Sequence, residues 1–254
     1  MKWMRCRVGG RELFGLLQGD RLAVHDGDLF DAPRPTGESV SLEGAQWLPP
    51  CRPGKMLALW NNFHAAAQKN GWAVPAEPLY FLKTPNALAA HGQTIAAVAP
   101  EVGRVAYEGE LAIVIGRRAR SITREQAAAH VFGYTCANDL TAIELLNRDP
   151  AFAQWTRAKG FDGFAPLGPV IETDFDPAAA SVKTLVGGRE RQHYPLADMV
   201  FGPHELVARI SHDMTLEPGD VILCGTSLGV LPMKPGTSVE VEIDGIGRLA
   251  NTYG

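Results

Sequence analysis

Two glutamates at the start of an apolar segment are the first candidates for chemistry in this sequence. Glu108 and Glu110 precede the uninterrupted apolar segment 111–115, which ends at Gly116. A segment this short and this rich in β-branched residues is typical of a buried strand. Because side chains alternate along a strand, both carboxylates are expected on one side of the sheet, with Gly109 between them. Two like charges in that position repel unless a cation lies between them, so the pattern predicts a metal site.

A third carboxylate is available at the end of another predicted strand. Asp139 follows the apolar run that begins at Tyr134, and a carboxylate at a strand end can project into a cleft. Three carboxylates form an all-oxygen ligand set that suits Mg²⁺, Mn²⁺ or Ca²⁺. The alternative is that Glu108 and Glu110 only line the solvent face of their strand, although the residues after them form no polar face.

Three further candidates also have ordinary structural explanations. Lys159 is a candidate active-site ammonium, or else a solvated loop lysine, which is the most common kind. The turn Gly225–Thr226 follows the apolar strand 221–224, and it either offers N–H groups and a hydroxyl to a carboxylate or enolate oxygen or is a plain tight turn. His64, near a helix start, is a candidate general base or a surface histidine.

The elements that must position these residues are mostly strands. Residues 1–48 alternate short apolar segments with turn residues, which predicts a meander of strands. The Pro- and Gly-rich segment 49–54 predicts a boundary between a small N-terminal β subdomain, residues 1–50, and a catalytic domain, residues 51–254. Many strands and few helices favour an α+β, mostly β, barrel-like fold over a doubly wound sheet.

Local signals predict the helices and one hairpin. Asp244–Gly245 predicts a hairpin turn, and residues 159–163 are expected to form a loop. Four helices are predicted. The first follows an Asn N-cap at 61–62 and stops at Gly71, and the second runs from the capping box of Thr123 and Gln126 to near Gly133. The third covers residues 140–155, and the fourth lies near 203–214.

Composition and charge exclude several classes of function. Of the 254 residues, 46% are hydrophobic and 20% are charged, as in a soluble globular protein. The formal net charge of −4 and the lack of a basic stripe argue against nucleic-acid binding. No apolar run reaches the roughly 18 residues of a membrane span, and no Gly-x-Gly-x-x-Gly follows a strand. The four scattered cysteines are expected to be reduced residues of a cytoplasmic protein.

Six segments, taken in order, resemble the fumarylacetoacetate hydrolase superfamily over most of residues 55–254. Together they are far more specific than any one of them. The matching segments are Phe81–Asn86, Tyr107–Gly116, Asn138–Asp139, Lys159–Asp162, Leu216–Asp220 and Gly225–Thr226. With the ending Gly245–Asn251, the motifs are most similar to the branch of 2-hydroxyhepta-2,4-diene-1,7-dioate isomerases and 5-carboxymethyl-2-oxo-hex-3-ene-1,7-dioate decarboxylases.

This resemblance implies a mixed, rolled β-sandwich, usually dimeric, with a Mg²⁺ or Mn²⁺ ion that chelates a 2-oxo acid. It implies that the metal ligands are Glu108, Glu110 and Asp139. It also implies an active-site role for Lys159 and substrate-side contacts for Lys83, Gly225 and Thr226.

One segment departs from the family pattern. Family hydrolases carry Asn-Tyr-x-x-His-x-x-Glu on a lid, where the His/Glu pair activates water. Counted back from Lys83 without gaps, that pair falls on Ala66 and Lys69. His64 lies two residues early, on roughly the opposite face of a helix. Ser227 also replaces the proline of the family's Gly-Thr-Pro.

The departure favours chemistry that needs no attacking water. A metal ion that chelates a 2-oxo acid is an electron sink, which suffices for decarboxylation or enol–keto isomerisation. We therefore predict a metal-dependent isomerase or decarboxylase of an unsaturated 2-oxo (enol) diacid from aromatic catabolism. The alternatives are an acylpyruvate-type C–C hydrolase that recruits His64 and a catalytically idle partner subunit. The expected partners are a small-molecule 2-oxo acid and a second copy of the chain, with no nucleic acid and no membrane.

Overall fold

Strands dominate the computed structural model, which describes all 254 residues. The twenty strands are β1 Lys2–Val8, β2 Arg11–Gln18, β3 Arg21–Asp28, β4 Asp31–Ser41, β5 Gln46–Leu48, β6 Met56–Trp60, β7 Leu79–Lys83, β8 Leu88–Ala89, β9 Thr94–Ile95, β10 Val105–Ala106, β11 Gly109–Ile115, β12 Val131–Asn138, β13 Thr141–Ala142, β14 Ala165–Glu172, β15 Ser181–Val186, β16 Arg189–Pro195, β17 Val221–Leu223, β18 Pro232–Met233, β19 Thr237–Ile243 and β20 Gly247–Tyr253.

Helices are short and few. The α-helices are α1 His64–Asn70, α2 Arg124–Ala127, α3 Ile143–Leu146, α4 Trp155–Lys159 and α5 Pro203–Asp213. Single 3₁₀ turns occur at Pro85–Ala87, Pro100–Val102, Pro177–Ala179 and Leu196–Asp198. None of these helices has the length and apolar character that a bilayer crossing requires.

Three sheets make up the fold. The main sheet has the order β4-β3-β2-β1-β14-β12-β11-β17-β6-β7, with β5 and β8 attached to β1 and β14. A second sheet has the order β16-β15-β19-β20-β9, and a small third one has the order β13-β10-β18. The second sheet packs on the main sheet around β11, β12 and β14. The predicted mostly β, α+β rolled sandwich is confirmed, and β19 and β20 form the predicted hairpin.

The central strand β11 divides two apolar cores. Leu111, Ile113 and Ile115 belong to the core shared with the second sheet, whereas Ala112 and Val114 belong to the core on the opposite side. This is the alternation of a strand buried on both faces. The two glutamates occupy the even-numbered positions before Ala112, so the period-two pattern assigns both carboxylates to one side of the sheet.

The N-terminal strands form the predicted meander but do not make a sheet of their own. β1 pairs with β14, with Trp3 opposite Ile171, and β2 to β4 continue the main sheet outward from there. The segment predicted as a boundary is the loop between β5 and β6. That residues 1–50 form a separate subdomain stays a prediction.

Two predicted helices are much shorter than expected. The stretch 140–155 contains the strand β13, the short helix α3 and the first residue of α4, and Pro150 disfavours a helical residue before it. The predicted loop lysine is instead the last residue of α4. The helix that starts with the Thr123 capping box ends at Ala127, since β12 already begins at Val131, directly after the His130 carbonyl that accepts hydrogen bonds from Gly116 and Arg117.

The start of α1 is capped in a way that the sequence did not indicate. Its N-cap residue is Phe63, not an asparagine, and the carboxylate of Asp198 accepts a hydrogen bond from Ala65 N at 3.0 Å. The Asn62 side chain instead binds the backbone of Phe201 and Cys224. The helix ends at the predicted Gly71, which has a φ of 68°. Helix α5 matches the prediction closely.

Candidate metal centre and cavity

Three carboxylates meet where β11 begins and β12 ends. Gly109 lies opposite Asn138 in the β11–β12 pairing, which brings Glu108 and Glu110 beside Asp139. Asp139 N donates to the Glu108 carbonyl at 2.9 Å, and Glu108 N donates to Asn138 Oδ1 at 3.0 Å. The three side chains each offer an oxygen within 4.8 Å of the others. The predicted cluster of carboxylates is therefore present in the structure.

Gly109 lies where the second sheet comes closest to β11. A Cβ atom at this position would lie 2.0 Å from Thr184 Oγ1, so a side chain has no room. Gly109 N donates to Gln192 Oε1 at 3.0 Å, and its carbonyl accepts hydrogen bonds from the hydroxyls of Thr226 and Tyr194. Gln192 and Tyr194 belong to none of the sequence motifs. Their spacing of two residues on a polar strand was the available signal, because it places both on one face.

Two buried lysines share the carboxylate of Asp139. Lys83 Nζ lies 2.5 Å from Asp139 Oδ1, and Lys159 Nζ lies 2.6 Å from Oδ2 and 3.0 Å from Glu108 Oε2. Burial opposes the charge of Lys159, yet Asp139 and Glu108 outweigh burial and raise its pKa. Burial lowers the pKa of Lys83, and Asp139 compensates only in part because Lys159 is a like charge. Burial alone would raise the pKa of Asp139, but the two ammonium groups lower it.

An aromatic ring lies against the ammonium group of Lys159. Its Nζ lies 5.0 Å from the ring centroid of Phe81, which stacks on Trp155 at 4.9 Å. This is the distance of a cation–π contact. Trp155 opens α4 and Lys159 ends it, so one short helix supplies both groups.

Glu110 carries an oxygen that nothing in the protein satisfies. The residue is fully buried; Oε2 accepts a hydrogen bond from Gly225 N at 2.7 Å, whereas Oε1 has no partner. Burial first, and then the charges of Asp139 and Glu108, raise the pKa of Glu110 well above its ordinary value. Burying an unpaired carboxylate oxygen is costly unless a cation or proton meets it. The Gly225 N–H predicted to face substrate therefore positions Glu110 instead.

Glu108 is held by a residue that the sequence did not single out. Thr141 Oγ1 donates to Glu108 Oε1 at 2.5 Å, and Lys159 donates to Oε2. Burial raises the pKa of Glu108 in spite of Lys159, with Asp139 adding to the increase. The position of Thr141, two residues after Asp139, was the only sequence signal for it.

The donor set fits a hard divalent cation. Three carboxylates and two lysine ammonium groups leave one net negative charge in a buried space. A divalent cation would change that to one net positive charge and would meet the orphaned Glu110 oxygen. Mg²⁺ and Mn²⁺ prefer oxygen ligands of this kind. Glu108, Glu110 and Asp139 are the residues that could hold such an ion.

A cavity of about 530 Å³ leads from the surface to Glu108. Ala66 and Lys69 of α1 both line it, as do Thr226 and Ser227 from the turn after β17. The two positions that carry the water-activating pair in family hydrolases thus face this cavity and hold Ala66 and Lys69. His64 is exposed and is not among the lining residues. The structure does not bring His64 to the other predicted site residues.

The two hydroxyls in the turn after β17 differ in the hydrogen bonds that they still have free for a ligand. Thr226 Oγ1 donates to the Gly109 carbonyl at 3.0 Å and accepts from Gln192 Nε2 at 2.8 Å. Ser227 is 4% exposed, and its Oγ has no hydrogen-bond partner. Asn61 also lines the cavity with a buried, unpaired Oδ1, and its φ of 55° is unusual for a residue other than glycine.

Two family models match the chain. Residues 55–253 match the model described as fumarylacetoacetate (FAA) hydrolase, C-terminal, and residues 1–50 match the model described as Rv2993c-like, N-terminal.

Similar proteins have several different names. An uncharacterised protein from Archaeoglobus fulgidus is 42% identical, with 89% of this chain and 88% of the relative covered. An oxaloacetate tautomerase from Bacillus subtilis is 33% identical, with 94% and 85% covered. A 4-hydroxyphenylacetate degradation bifunctional isomerase/decarboxylase from Salmonella dublin is 38% identical over 78% of this chain, which spans only 46% of that protein.

The solved structures that resemble this chain also have names that describe different activities. A 2-hydroxyhepta-2,4-diene-1,7-dioate isomerase from Mycobacterium marinum superposes with a TM-score of 0.91 at 35% identity, covering 100% of this chain and 98% of the other. A maleylpyruvate hydrolase from Sphingobium sp. SYK-6, in complex with manganese(II) and pyruvate, has a TM-score of 0.80 at 27% identity with the same coverage. Isomerases and hydrolases therefore share this fold.

Proposed function

This chain belongs to the fumarylacetoacetate hydrolase family, and we propose that within it the protein is a divalent-metal-dependent isomerase or decarboxylase of an unsaturated 2-oxo (enol) diacid. The observation that carries the proposal is the lining of the cavity above Glu108. The family contains isomerases, decarboxylases, tautomerases and hydrolases, so the choice among them depends on this chain's own residues.

The cavity offers no group that would activate water. Hydrolysis of a C–C bond requires a base within reach of the attacking water. The side chains around the cavity include no imidazole and no carboxylate other than Glu108, which is paired with Lys159 and Thr141. An ammonium, Lys69, stands where the hydrolase pattern has an acid. Enolisation and decarboxylation do not require an attacking water, and this supports them over hydrolysis.

The residues of the buried cluster have separate roles in this proposal. Glu108, Glu110 and Asp139 would hold the divalent ion, which when bound polarises the carbonyl of a 2-oxo acid and favours its enolate. Lys159 would provide a fixed positive charge near a developing enolate oxygen, because its Nζ is held 2.6 Å from Asp139 Oδ2 and 3.0 Å from Glu108 Oε2. Lys83, which is fully buried, would position Asp139 through the hydrogen bond from its Nζ to Oδ1.

An assay on the purified protein tests the reaction class. The protein with Mg²⁺ or Mn²⁺ is given an unsaturated 2-oxo diacid and oxaloacetate, and enol absorbance and CO₂ release are followed with and without EDTA. We expect metal-dependent tautomer conversion or CO₂ loss, absent in Glu110→Gln and retained in the control Glu101→Gln, which changes an exposed glutamate. Equal turnover with EDTA present would refute the metal mechanism, and silence on both substrates would favour an idle subunit.

A C–C hydrolase is the second candidate, supported by the structural likeness to the maleylpyruvate hydrolase. It would need His64, which is exposed on α1 and lies outside the cavity lining. Cleavage of an acylpyruvate that is lost in His64→Ala would establish this alternative. Cleavage that survives His64→Ala would show that another residue activates water.

A further inference from the structure

Two polar groups that line the cavity have no partner in the protein. The Lys69 ammonium forms no salt bridge, although it lines the same cavity as Glu108. The Ser227 hydroxyl is buried and makes no hydrogen bond. Buried polar groups in folded proteins are normally paired, so an unpaired hydroxyl that borders a cavity indicates a group that arrives from outside.

Ser227 provides a donor that its neighbour cannot. The Thr226 hydroxyl uses its proton on the Gly109 carbonyl, so it can only accept further hydrogen bonds. Ser227 still has its proton available. The proline that the family motif has at this position would offer no hydroxyl at all. The cavity therefore acquires a hydrogen-bond donor through a residue in which this chain departs from the motif.

The Asn61 side chain shows which side of the cavity does not suit a carboxylate. Its Nδ2 donates to the Ala73 carbonyl at 2.9 Å, which leaves Oδ1 as the atom without a partner. Oδ1 is an acceptor and would repel a carboxylate. An anion entering the cavity would thus be drawn to Lys69 and Ser227 and away from the Asn61 side.

The charges at the two ends of the cavity match a dicarboxylate. At the inner end, the buried cluster becomes net positive when a divalent ion is bound to Glu108, Glu110 and Asp139. At the outer end, Lys69 is the only cation among the lining residues. A ligand with negative charge at both ends is attracted to both, whereas a monocarboxylate uses only the inner one.

We propose that Lys69 and Ser227 form the subsite for the second carboxylate of the substrate, the one remote from the 2-oxo acid group. This rests on the proposed function, since the inner end must hold the 2-oxo acid. It makes Lys69 a specificity-determining residue: the position that carries the catalytic acid in the hydrolase pattern here selects diacids.

Binding measurements separate this subsite from the metal centre. Isothermal titration of the Mg²⁺-loaded protein with pyruvate reports the inner end alone. Titration with 2-oxoglutarate and 2-oxoadipate, which differ in the spacer to the second carboxylate, reports both ends. We expect at least one diacid to bind tenfold or more tightly than pyruvate. Lys69→Met should remove most of that difference while leaving pyruvate affinity within twofold of the wild type.

Further variants test the two residues separately. Ser227→Ala should weaken binding of the diacid about threefold, and Lys69→Arg, which keeps the charge, should retain most of the diacid preference. The control Lys234→Met removes an exposed lysine that does not line this cavity and should change neither affinity.

The possible failures have different meanings. If Lys69→Met binds the diacids as the wild type does, or if neither diacid binds more tightly than pyruvate, the subsite assignment is wrong and the proposed function is untouched. If no 2-oxo acid binds in a Mg²⁺-dependent way, the proposed function fails and the subsite assignment fails with it.

Discussion

Replacing Gly109 with alanine should separate β11, which carries Glu110, from the second sheet. The new Cβ would lie 2.0 Å from Thr184 Oγ1 and 3.3 Å from Gln192 Oε1. Real Cβ atoms essentially never approach another heavy atom within 3.0 Å, so β11 and β15 must move apart by about 1 Å. Thr184 and Gln192 are both buried, so neither side chain can relieve the clash by moving into solvent.

The expected magnitude follows from overpacking of a core. Inserting one methyl group into a well-packed site costs about 1–3 kcal/mol, which lowers the Tm of a chain this size by about 2–4 °C for each kcal/mol. Thr184 Oγ1 makes no hydrogen bond, so Thr184→Ala by itself should change stability little. It also removes the atom that clashes. The double variant Gly109→Ala/Thr184→Ala should therefore regain about 1–2 kcal/mol relative to Gly109→Ala alone.

Two measurements complete this double-mutant cycle. Urea unfolding gives the free energies, and titration with Mn²⁺ gives the metal affinity, which should fall in Gly109→Ala because Glu108 and Glu110 flank the displaced residue. The affinity should recover in the double variant. If Gly109→Ala is as stable as the wild type, or if Thr184→Ala brings no recovery, the contact between β11 and β15 is not what requires glycine.

The other predictions concern single side chains. Glu110→Gln should weaken Mn²⁺ binding by more than about 100-fold, because losing even a hydrogen-bond partner of a metal ligand lowers metal affinity by about 10–100-fold. Near wild-type affinity in the titration would contradict the role of Glu110 as a ligand. Thr141→Val removes the hydroxyl that holds Glu108 and should cost about 10–100-fold in Mn²⁺ affinity, whereas an unchanged affinity would make that hydrogen bond incidental. His64→Ala should leave kcat for tautomer conversion within twofold, and a tenfold loss would mean that α1 rearranges. Asp220→Ala leaves Lys55 and two backbone N–H groups unpaired and should cost about 3 kcal/mol in urea unfolding; an unchanged midpoint would show that water replaces the carboxylate fully.

The cluster of three carboxylates could be predicted because it depends on local rules. Alternation along β11 places Glu108 and Glu110 on one side whatever the rest of the chain does. Asp139 directly follows β12, which pairs with β11, and strands that are neighbours in sequence commonly pair in space. The roles of Lys83 and Lys159 were not local in this sense. Their sharing of one carboxylate depends on contacts of β7 and α4, which are distant in the sequence, with Asp139. Lys159 was a candidate from its residue type alone, whereas only the family resemblance pointed to Lys83.

Other features depended on contacts that no local pattern encodes. The cap of α1 comes from Asp198, more than 130 residues away, so the asparagines in front of the helix gave the wrong N-cap. The N-terminal strands join the main sheet through β14, which a meander pattern cannot reveal. The engagement of the Gly225 N–H and the Thr226 hydroxyl, and the freedom of Ser227, follow from the same long-range packing.

The order of strands in the main sheet also affects how the protein is made. Glu110 emerges from the ribosome 115 residues before Gly225, whose N–H holds it in place. At about 5–20 residues per second, the interval is roughly 6–23 s. During that time β11 can pair with β12 but not with β17, so one edge of β11 stays open to other nascent chains. The Glu110 carboxylate therefore lacks its Gly225 partner until residue 225 has been made, and slow translation through residues 110–225 would prolong the period of greatest aggregation risk.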